Sequence, residues 1–388
     1  MPMTIEQPKA PAAIRVDPGS IFVSLELSKS TWLVTSLPPG SEKMARHTVE
    51  GGDIAALLTC LGDLRDKERA RTSKLYPLVV IQEAGLDGFW IHRLLTQEDW
   101  IESHVVDAAS IAVSRRHRRA KTDRIDGESL IRTLMAWKRG EPQVCSMVRA
   151  PTPEDEDRRR ISRERKTLIT ERTRHVNRIK GLLFSQGIRG YEPLRRDRRA
   201  RLEDLRTGDG RLLAGHLRTQ IIRELDRLEL LQQQIKVVEA ERDALGAAAL
   251  PDKPSPAAML QGLKGIGPEF ASVLTSEGLF RHFDNRRQLA AYAGLAPSPW
   301  QSGSIDREQG VSKSGNPRLR TTMVELAWFW LRHQPDTALS RWFHERVSRN
   351  GGRAKKVAIV ALARKLLVAL WKYVTSGVVI EGAVMTAA

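Results

Sequence analysis

The chain has 388 residues, room for two or three domains, and its 63 Lys and Arg against 46 Asp and Glu leave a formal charge of +17. Hydrophobic residues at 41% exclude wholesale disorder, and only two cysteines, Cys60 and Cys145, exclude a disulfide scaffold or a Cys-rich zinc module. The opening residues show no secretory pattern, and no apolar run approaches the ~18 residues of a membrane span. The expectation is a cytoplasmic protein whose charge meets a polyanion. Nucleic acid is a more economical partner than a membrane surface or a merely basic exterior.

Residues 1–19, rich in Pro and Ala, read as a loose leader. Apolar alternation from Ile21 to Leu27 has the period of a strand. Further strands are expected at Thr31–Leu37, Arg46–Glu50, Leu75–Ile81 and Ile101–Val106. Helices are expected at Asp53–Leu64, Leu86–Leu95 and 121–138, where apolar residues recur at helical spacing. Residues 20–150 therefore read as one α/β domain. A Pro- and charge-rich joint at Pro151–Asp157 leads into an Arg-dense helix, Arg158–Lys180. Leu217, Ile221, Leu228, Leu231, Ile235, Val238 and Leu245 then follow heptad steps that only Glu224 and Arg242 interrupt. That stretch predicts a coiled coil within a segment spanning 151–256. Residues 257–388 read as a third, mostly helical unit.

Four constellations carry chemistry. Glu26 sits mid-strand, Glu83 follows the apolar strand and opens the turn Glu83-Ala84-Gly85, and Asp123 and Asp126 share a helix face. Such acids can converge on one point, where hard divalent cations take oxygen ligands and activate a phosphodiester; singly, each reads as an ordinary solvated residue. Leu263-Lys264-Gly265-Ile266-Gly267-Pro268 resembles the hairpin of a helix-hairpin-helix, with Gly265 and Gly267 letting backbone N–H groups face a phosphate, or else a plain tight turn. Gln301-Ser302-Gly303-Ser304 reads as a Ser/Gly loop. It lies upstream of a cluster holding Lys313, Asn316, Arg318 and Arg320, where a serine could attack a phosphate that the cations steady.

The fourth constellation is a set of arginine runs: Arg115-Arg116-His117-Arg118-Arg119, Arg158-Arg159-Arg160 and Arg195-Arg196 through Arg201. They read as contacts to nucleic-acid backbones. Trp328, Phe329, Trp330, Trp342 and Phe343 could stack on bases, but at helical spacing they read as core. No histidine pair has metal-ligand spacing, and no G-x-S-x-G elbow is present.

Taken in order, the motifs match a known family over nearly the whole chain. Leu25-Glu26-Leu27-Ser28-Lys29, Gln82-Glu83-Ala84-Gly85 and Lys121-Thr122-Asp123-Arg124-Ile125-Asp126 carry the N-terminal part of the likeness. Gly265-Ile266-Gly267, Gln288 through Leu295, Ser302-Gly303 and Gly310 through Arg320 carry the rest. The chain resembles transposases of the insertion sequence 110 family, in the group related to insertion sequence 1111. That resemblance implies an RNase H-like domain akin to the Holliday-junction resolvase RuvC at 20–150. Its DEDD set would be Glu26, Glu83, Asp123 and Asp126, with Glu26 standing where the family carries Asp. It implies a dimerising coiled coil and a C-terminal transposase domain whose serine, Ser302 with Ser304 as the fallback, becomes covalently linked to DNA. It implies two Mg²⁺ ions (or Mn²⁺) per composite site and no nucleotide cofactor. Expected partners are donor and target DNA, a structured noncoding guide RNA and further copies of the chain up to a tetramer, at the nucleoid. Arg115, Arg116, Arg118, Arg119, Lys121 and Arg124 join the C-terminal cluster as expected nucleic-acid contacts. The competing readings are a metal-dependent junction nuclease that uses water, and an architectural nucleic-acid-binding protein without catalysis.

Overall fold

Alternation gives β1 (Ile21–Leu27) two different faces. Ile21, Val23 and Leu25 point into one apolar cluster, while Phe22 points into another on the opposite side of the sheet. In this computed structural model, residues 19–85, 89–111, 123–141, 144–247, 254–302, 305–311, 315–350 and 355–386 are described. The leader expected at 1–19 thus lies, but for Gly19, outside the described residues. The chain divides into two units, residues 1–151 and 152–388.

The first unit is a mixed five-stranded sheet. β2 (Thr31–Leu37), β3 (Ala45–Glu50), β4 (Leu78–Glu83) and β5 (Ile101–Val106) join β1 in the order β3-β2-β1-β4-β5. β2 runs antiparallel to β1 and β3, whereas β4 is parallel to β1 and β5. β4 starts at Leu78 rather than Leu75, because Pro77 has no N–H for a ladder and serves only as an acceptor, from Ile21 N. The strand also runs on through Glu83, so this acid ends β4 instead of opening a turn. α1 (Ile54–Thr72), capped by Asp53, brings Leu57, Leu61 and Leu64 onto the face shared by Ile21, Val23, Leu78 and Val80. α2 (Trp90–Leu95) adds Ile91 and Leu95 to that cluster.

α3 (Asp123–Lys138) covers the other face through Leu130, Ile131 and Leu134, packed on Phe22, Val79 and Ile81. Its close approach depends on Gly127. A Cβ there would meet Thr35 Oγ1 at 2.7 Å and Ser24 Oγ at 3.3 Å, and the Ser24 hydroxyl donates to the Gly127 carbonyl at 2.9 Å. Small hydroxyl residues on neighbouring strands thus form the seat for a glycine on the helix.

The second unit begins with α4 (Pro153–Phe184). Thr152 caps it, Pro153 opens it, and Glu154, Asp155 and Glu156 lie in its first turn against the positive end of the helix dipole. The joint expected at Pro151–Asp157 is therefore mostly helix start. α4 packs antiparallel on α6 (Gly215–Ala247), with the short α5 (Arg198–Glu203) between them in sequence. Leu168 meets Leu231, Ile235 and Val238, whereas Ile179 and Leu183 meet Ile221, Leu225 and Leu228. The apolar heptad positions from Leu217 to Val238, expected to face another helix, lie against α4 of the same chain, whereas Leu245 is 51% exposed. Glu224, which interrupts that stripe, is buried under Arg178, Arg227 and His175. Burial alone would raise its carboxyl, but the bonds from His175 and Arg178 outweigh it and hold Glu224 below the usual range.

The remaining elements are α7 (Pro256–Gln261), α8 (Pro268–Leu274), a π-helical turn (Thr275–Leu279) and α9 (Arg286–Tyr292). They are followed by β6 (Pro297–Ser302), β7 (Ile305–Val311), α10 (Pro317–His333), α11 (Ala338–Asn350) and α12 (Lys355–Ser376). One core gathers Leu274, Leu289, Leu319, Met323, Leu326, Trp330, Phe343, Leu362, Leu366 and Leu370. Trp330 and Phe343 are core as expected, but Trp328 and Phe329 are 41% and 45% exposed. Four-residue spacing from Met323 to Ala327 and from Leu326 to Trp330 defines the inward stripe, and positions 328 and 329 turn away from it. Among the described residues no helix is long and apolar enough to cross a membrane.

Two glycine substitutions separate packing from backbone cost. Gly127→Ala destabilises the fold by about 1–3 kcal/mol through overpacking at Thr35. Gly62→Ala, inside α1 with nothing within 4 Å of the added carbon, stabilises by up to about 1 kcal/mol. Urea unfolding of the two variants reads opposite shifts; equal shifts would remove the tight helix–sheet seat.

Candidate active site

Strand register determines where the acids lie. Leu25 is paired with Gln82, so the next rung brings Glu26 and Glu83 side by side on parallel neighbours about 4.8 Å apart. Phe22, Ser24 and Glu26 share one face of β1, and Val79, Ile81 and Glu83 share the same face of β4. That is the face on which α3 lies. Gly127 sits over Ser24, two residues before Glu26, and half-buried Asp126 precedes it. Asp123 opens α3 by its backbone, with its side chain outside the described atoms. Glu26, Glu83 and Asp126 therefore occupy one corner of the sheet, under the start of α3.

These carboxylates are the hard oxygen donors that Mg²⁺ or Mn²⁺ takes, and their placement on one face fits such an ion by chemistry. Among the described residues, however, no group of three or more His, Cys, Asp or Glu is close enough to hold a metal. The corner is laid out, and the described side chains do not close it.

The serine expected in a loop is in a strand. Ser302 is the last residue of β6 and pairs with Ile305 of β7 across Gly303 and Ser304, which lie outside the described residues. A two-residue Gly-Ser connection between extended segments is a hairpin signal. Pro297 and Pro299 obscured it, but prolines are tolerated here because both strands of a two-stranded ribbon are edges, and a bulge lies between them. Ser302 stands about 17 Å along the strand from Pro297.

The foot of this hairpin is firmly held. Gly294, at φ +63, ends α9, and Gly315, at φ +96, returns the chain to the same place. A Cβ on Gly315 would lie 2.4 Å from the Tyr292 carbonyl oxygen and 2.9 Å from Gly294 N. Asn316 N donates to that Tyr292 carbonyl at 2.6 Å. The Asn316 side chain caps α10 by accepting from Arg318 N and Leu319 N at 3.0 and 3.1 Å. Its amide donates to Glu277 Oε2 at 2.9 Å. Glu277, in the π-helical turn, is 3% exposed and takes two further bonds from Arg163 of α4, at 2.9 and 3.1 Å. Burial pushes this carboxyl up, but Arg163 and Asn316 more than offset it and hold it below the ordinary glutamate value of 4.5.

Asn316 and Arg318 are corrected by these contacts. Both were expected at a phosphate, but Asn316 is committed to the cap and to Glu277. Arg318 is only 11% exposed and donates from Nη2 to the Ser162 carbonyl. Arg320 is half-buried on α10, whereas Lys313 lies outside the described residues. So do Arg115, Arg116, Arg118, Arg119 and Lys121; Arg124 has a described backbone only. Gly265, at φ +92, joins α7 to α8 and lies against His333, where a Cβ would come within 2.7 Å; Gly267 is open on that side. The Lys264 N–H is taken by the Val384 carbonyl. Glu277 and Arg163 are the residues sequence reasoning passed over. The available signal was weak: an acid between the apolar pairs Val273-Leu274 and Leu279-Phe280, with Thr275, Ser276 and Gly278 beside it.

The sequence pattern of the transposase IS116/IS110/IS902 family matches residues 257–342. The Sinorhizobium fredii protein y4rJ, named as a transposase, is 69% identical over 389 residues covering 98% of each chain. The transposase for insertion sequence element IS1111A of Coxiella burnetii is 29% identical over 59% of this chain and 61% of its own. A pilin gene-inverting protein of Moraxella bovis is 33% identical over 29% of this chain and 34% of its own.

The hairpin foot makes two predictions. Gly310 has φ +99 but open space around it, so Gly310→Ala costs about 1 kcal/mol of backbone strain. Gly315→Ala adds a clash with two carbonyls and costs several times more in urea unfolding; equal costs would dismiss the anchor. Because the folded pKa of Glu277 is depressed, its stabilisation is present above pH 4.5 and lost as pH falls through the folded value. Acid unfolding of Glu277→Gln is therefore shallower below that pH than wild type, and parallel curves would discard the ion pair as a stabiliser.

Proposed function

The chain belongs to the IS116/IS110/IS902 transposase family, and from that premise we propose that it excises and integrates an insertion sequence by exchanging DNA strands through a covalent serine–DNA link. The observation that carries this reading is the hairpin. Ser302 is presented at the end of a short ladder whose foot is held by Gly315, Asn316 and Glu277. A nucleophile needs such a fixed approach, since most of the gain from positioning is lost with small displacements.

The N-terminal unit is read as RNase H-like, in the manner of junction resolvases. A mixed sheet ordered β3-β2-β1-β4-β5, with acids at neighbouring strand ends and a helix crossing them, supports that assignment. Glu26, Glu83, Asp123 and Asp126 would hold Mg²⁺. When bound, the metal would neutralise charge on the scissile phosphate and favour ionisation of the attacking hydroxyl. The chain's own part is then as follows. Ser302 gives up its hydroxyl proton and its oxygen attacks phosphorus. The bond to the DNA 3′-oxygen breaks, and that oxygen leaves as a 3′-hydroxyl carrying a proton. Attack by a second 3′-hydroxyl reverses the step onto the exchanged strand, so one phosphoester replaces another and no nucleotide cofactor is needed.

Sequence choice is assigned to a guide RNA transcribed from the element, held together with donor and target DNA by Lys and Arg contacts to backbones. The formal charge of +17 supports that division, because backbone contacts supply affinity and base pairing supplies specificity. Self-association to a dimer and tetramer belongs to the same reading.

The test is trapping of a protein–DNA adduct on labelled substrate with RNA and Mg²⁺ supplied. Ser302→Ala abolishes the adduct; an undiminished adduct reassigns the nucleophile, with Ser304 next. Asp126→Asn abolishes cleavage and leaves RNA binding largely intact. Cleavage without any adduct in wild type would instead mean that water attacks.

A further inference from the structure

Arg159 is the second residue of the run Arg158-Arg159-Arg160, yet unlike its neighbours it turns inward. Its guanidinium lies 3.8 Å above the ring of Phe280. Its Nε and one terminal nitrogen, Nη2, are buried without a hydrogen-bond acceptor. Buried donors of this kind are rare in native proteins and ask for an occupant. Glu277 cannot serve, because both its oxygens are engaged by Arg163 and Asn316. Glu156 and Glu277 act on Arg159 only through their charge, and Arg163 and Tyr292 also lie within its electrostatic reach. Arg281 stacks on the Tyr292 ring at 4.4 Å, so a further guanidinium stands beside a ring that lies within the electrostatic reach of Arg159. Arg159, Arg163 and Arg318 stand near two carboxylates, Glu277 and Glu156, and Glu277 is already matched to Arg163, so the locale is positive. Its aromatic floor, Phe280 and Tyr292, fixes the planes of the guanidinium groups and leaves their edges for an acceptor.

We propose that Arg159, with Arg281 and Tyr292, forms an oxyanion seat that takes a backbone phosphate of a nucleic-acid strand at the foot of the Ser302 hairpin. The location follows from Tyr292, whose carbonyl receives the Asn316 N–H where the chain returns from β7. A tetrahedral oxyanion offers acceptors to Nε and Nη2 of one guanidinium at once, the fork geometry that a lysine cannot reproduce. Only the identity of the occupant rests on the reading of the chain as a recombinase. The seat itself rests on the unmatched donors.

The experiment uses the full-length protein freed of nucleic acid, with two probes. Inorganic phosphate raises the melting temperature of wild type relative to sodium chloride at equal ionic strength, and Arg159→Gln removes that shift. A short fluorescent DNA duplex of arbitrary sequence then reports affinity against salt. Arg159→Gln weakens binding about ten-fold at low salt and lowers the log–log salt slope by about one, as expected for one lost phosphate contact. Arg159→Lys does not restore the slope. Arg281→Gln gives a second reading if Arg159→Gln fails to fold, and it reduces the phosphate shift and the slope in the same direction. Phosphate protection lost with an unchanged slope overturns the nucleic-acid occupant in favour of a free anion. Protection equal in wild type and both variants overturns the seat. Neither readout involves strand cleavage, so loss of the seat and loss of the serine mechanism are told apart: adduct formation reports on the second alone.

Discussion

A buried carboxylate determines how the C-terminal unit is assembled. Glu277 is 3% exposed in the turn after α8, and it receives Arg163 from α4 and Asn316 from the cap of α10. A charge in that position is costly unless every lone pair is used, and here three donors use them. The requirement constrains its neighbours. Asn316 must be where it can cap and donate at once, and Gly315 must pass within van der Waals reach of the Tyr292 carbonyl, which no side chain permits. A widened π turn fits this arrangement, since it displaces one residue from the regular helical stripe and lets Glu277 point at α4 while Gly278 packs on Leu319.

Much of the N-terminal unit was legible because alternation and burial coincide there. β1 and β4 carry apolar residues on both faces, and the anomalies within them, Ser24, Glu26 and Glu83, are the positions that meet α3 or mark the acidic corner. Strand ends were less legible. Pro77 delays the start of β4, and at its other end Glu83, expected to open a turn, still lies in the strand. The hairpin at 297–311 was missed for a related reason: two prolines argue against a strand only if the strand is central, and sequence does not tell an edge from a centre. Trp328 and Phe329 were misplaced because apolar content was read where phase decides, and one turn of helix holds both inward and outward positions.

The heptad stripe of α6 teaches a different lesson. Its periodicity correctly requires a partner helix, but periodicity carries no information about which helix. α4 of the same chain lies along it, and the buried Glu224 accepts from His175 and Arg178 of that helix. A polar group at such a position sets register, since sliding the helices by a turn would take away His175 and Arg178 and leave the buried carboxylate only Arg227 of its own helix.

Charge and chemistry are distributed unevenly in this protein, and the unevenness has a physical logic. A surplus of 17 positive charges attracts any polyanion, so it cannot by itself choose a strand or a bond. Choice requires groups whose geometry is set before the strand arrives. Arg318 is not such a group: it turns inward and ties α10 to α4 through the Ser162 carbonyl. Arg158 and Arg160 remain outside and supply field, whereas Arg163, from the same helix, supplies structure. Within one arginine-rich helix, then, identical side chains divide between attraction and architecture according to the face they occupy. Run length in the sequence records only the first of these roles, because a charge that has found a buried partner looks the same in sequence as one that has not.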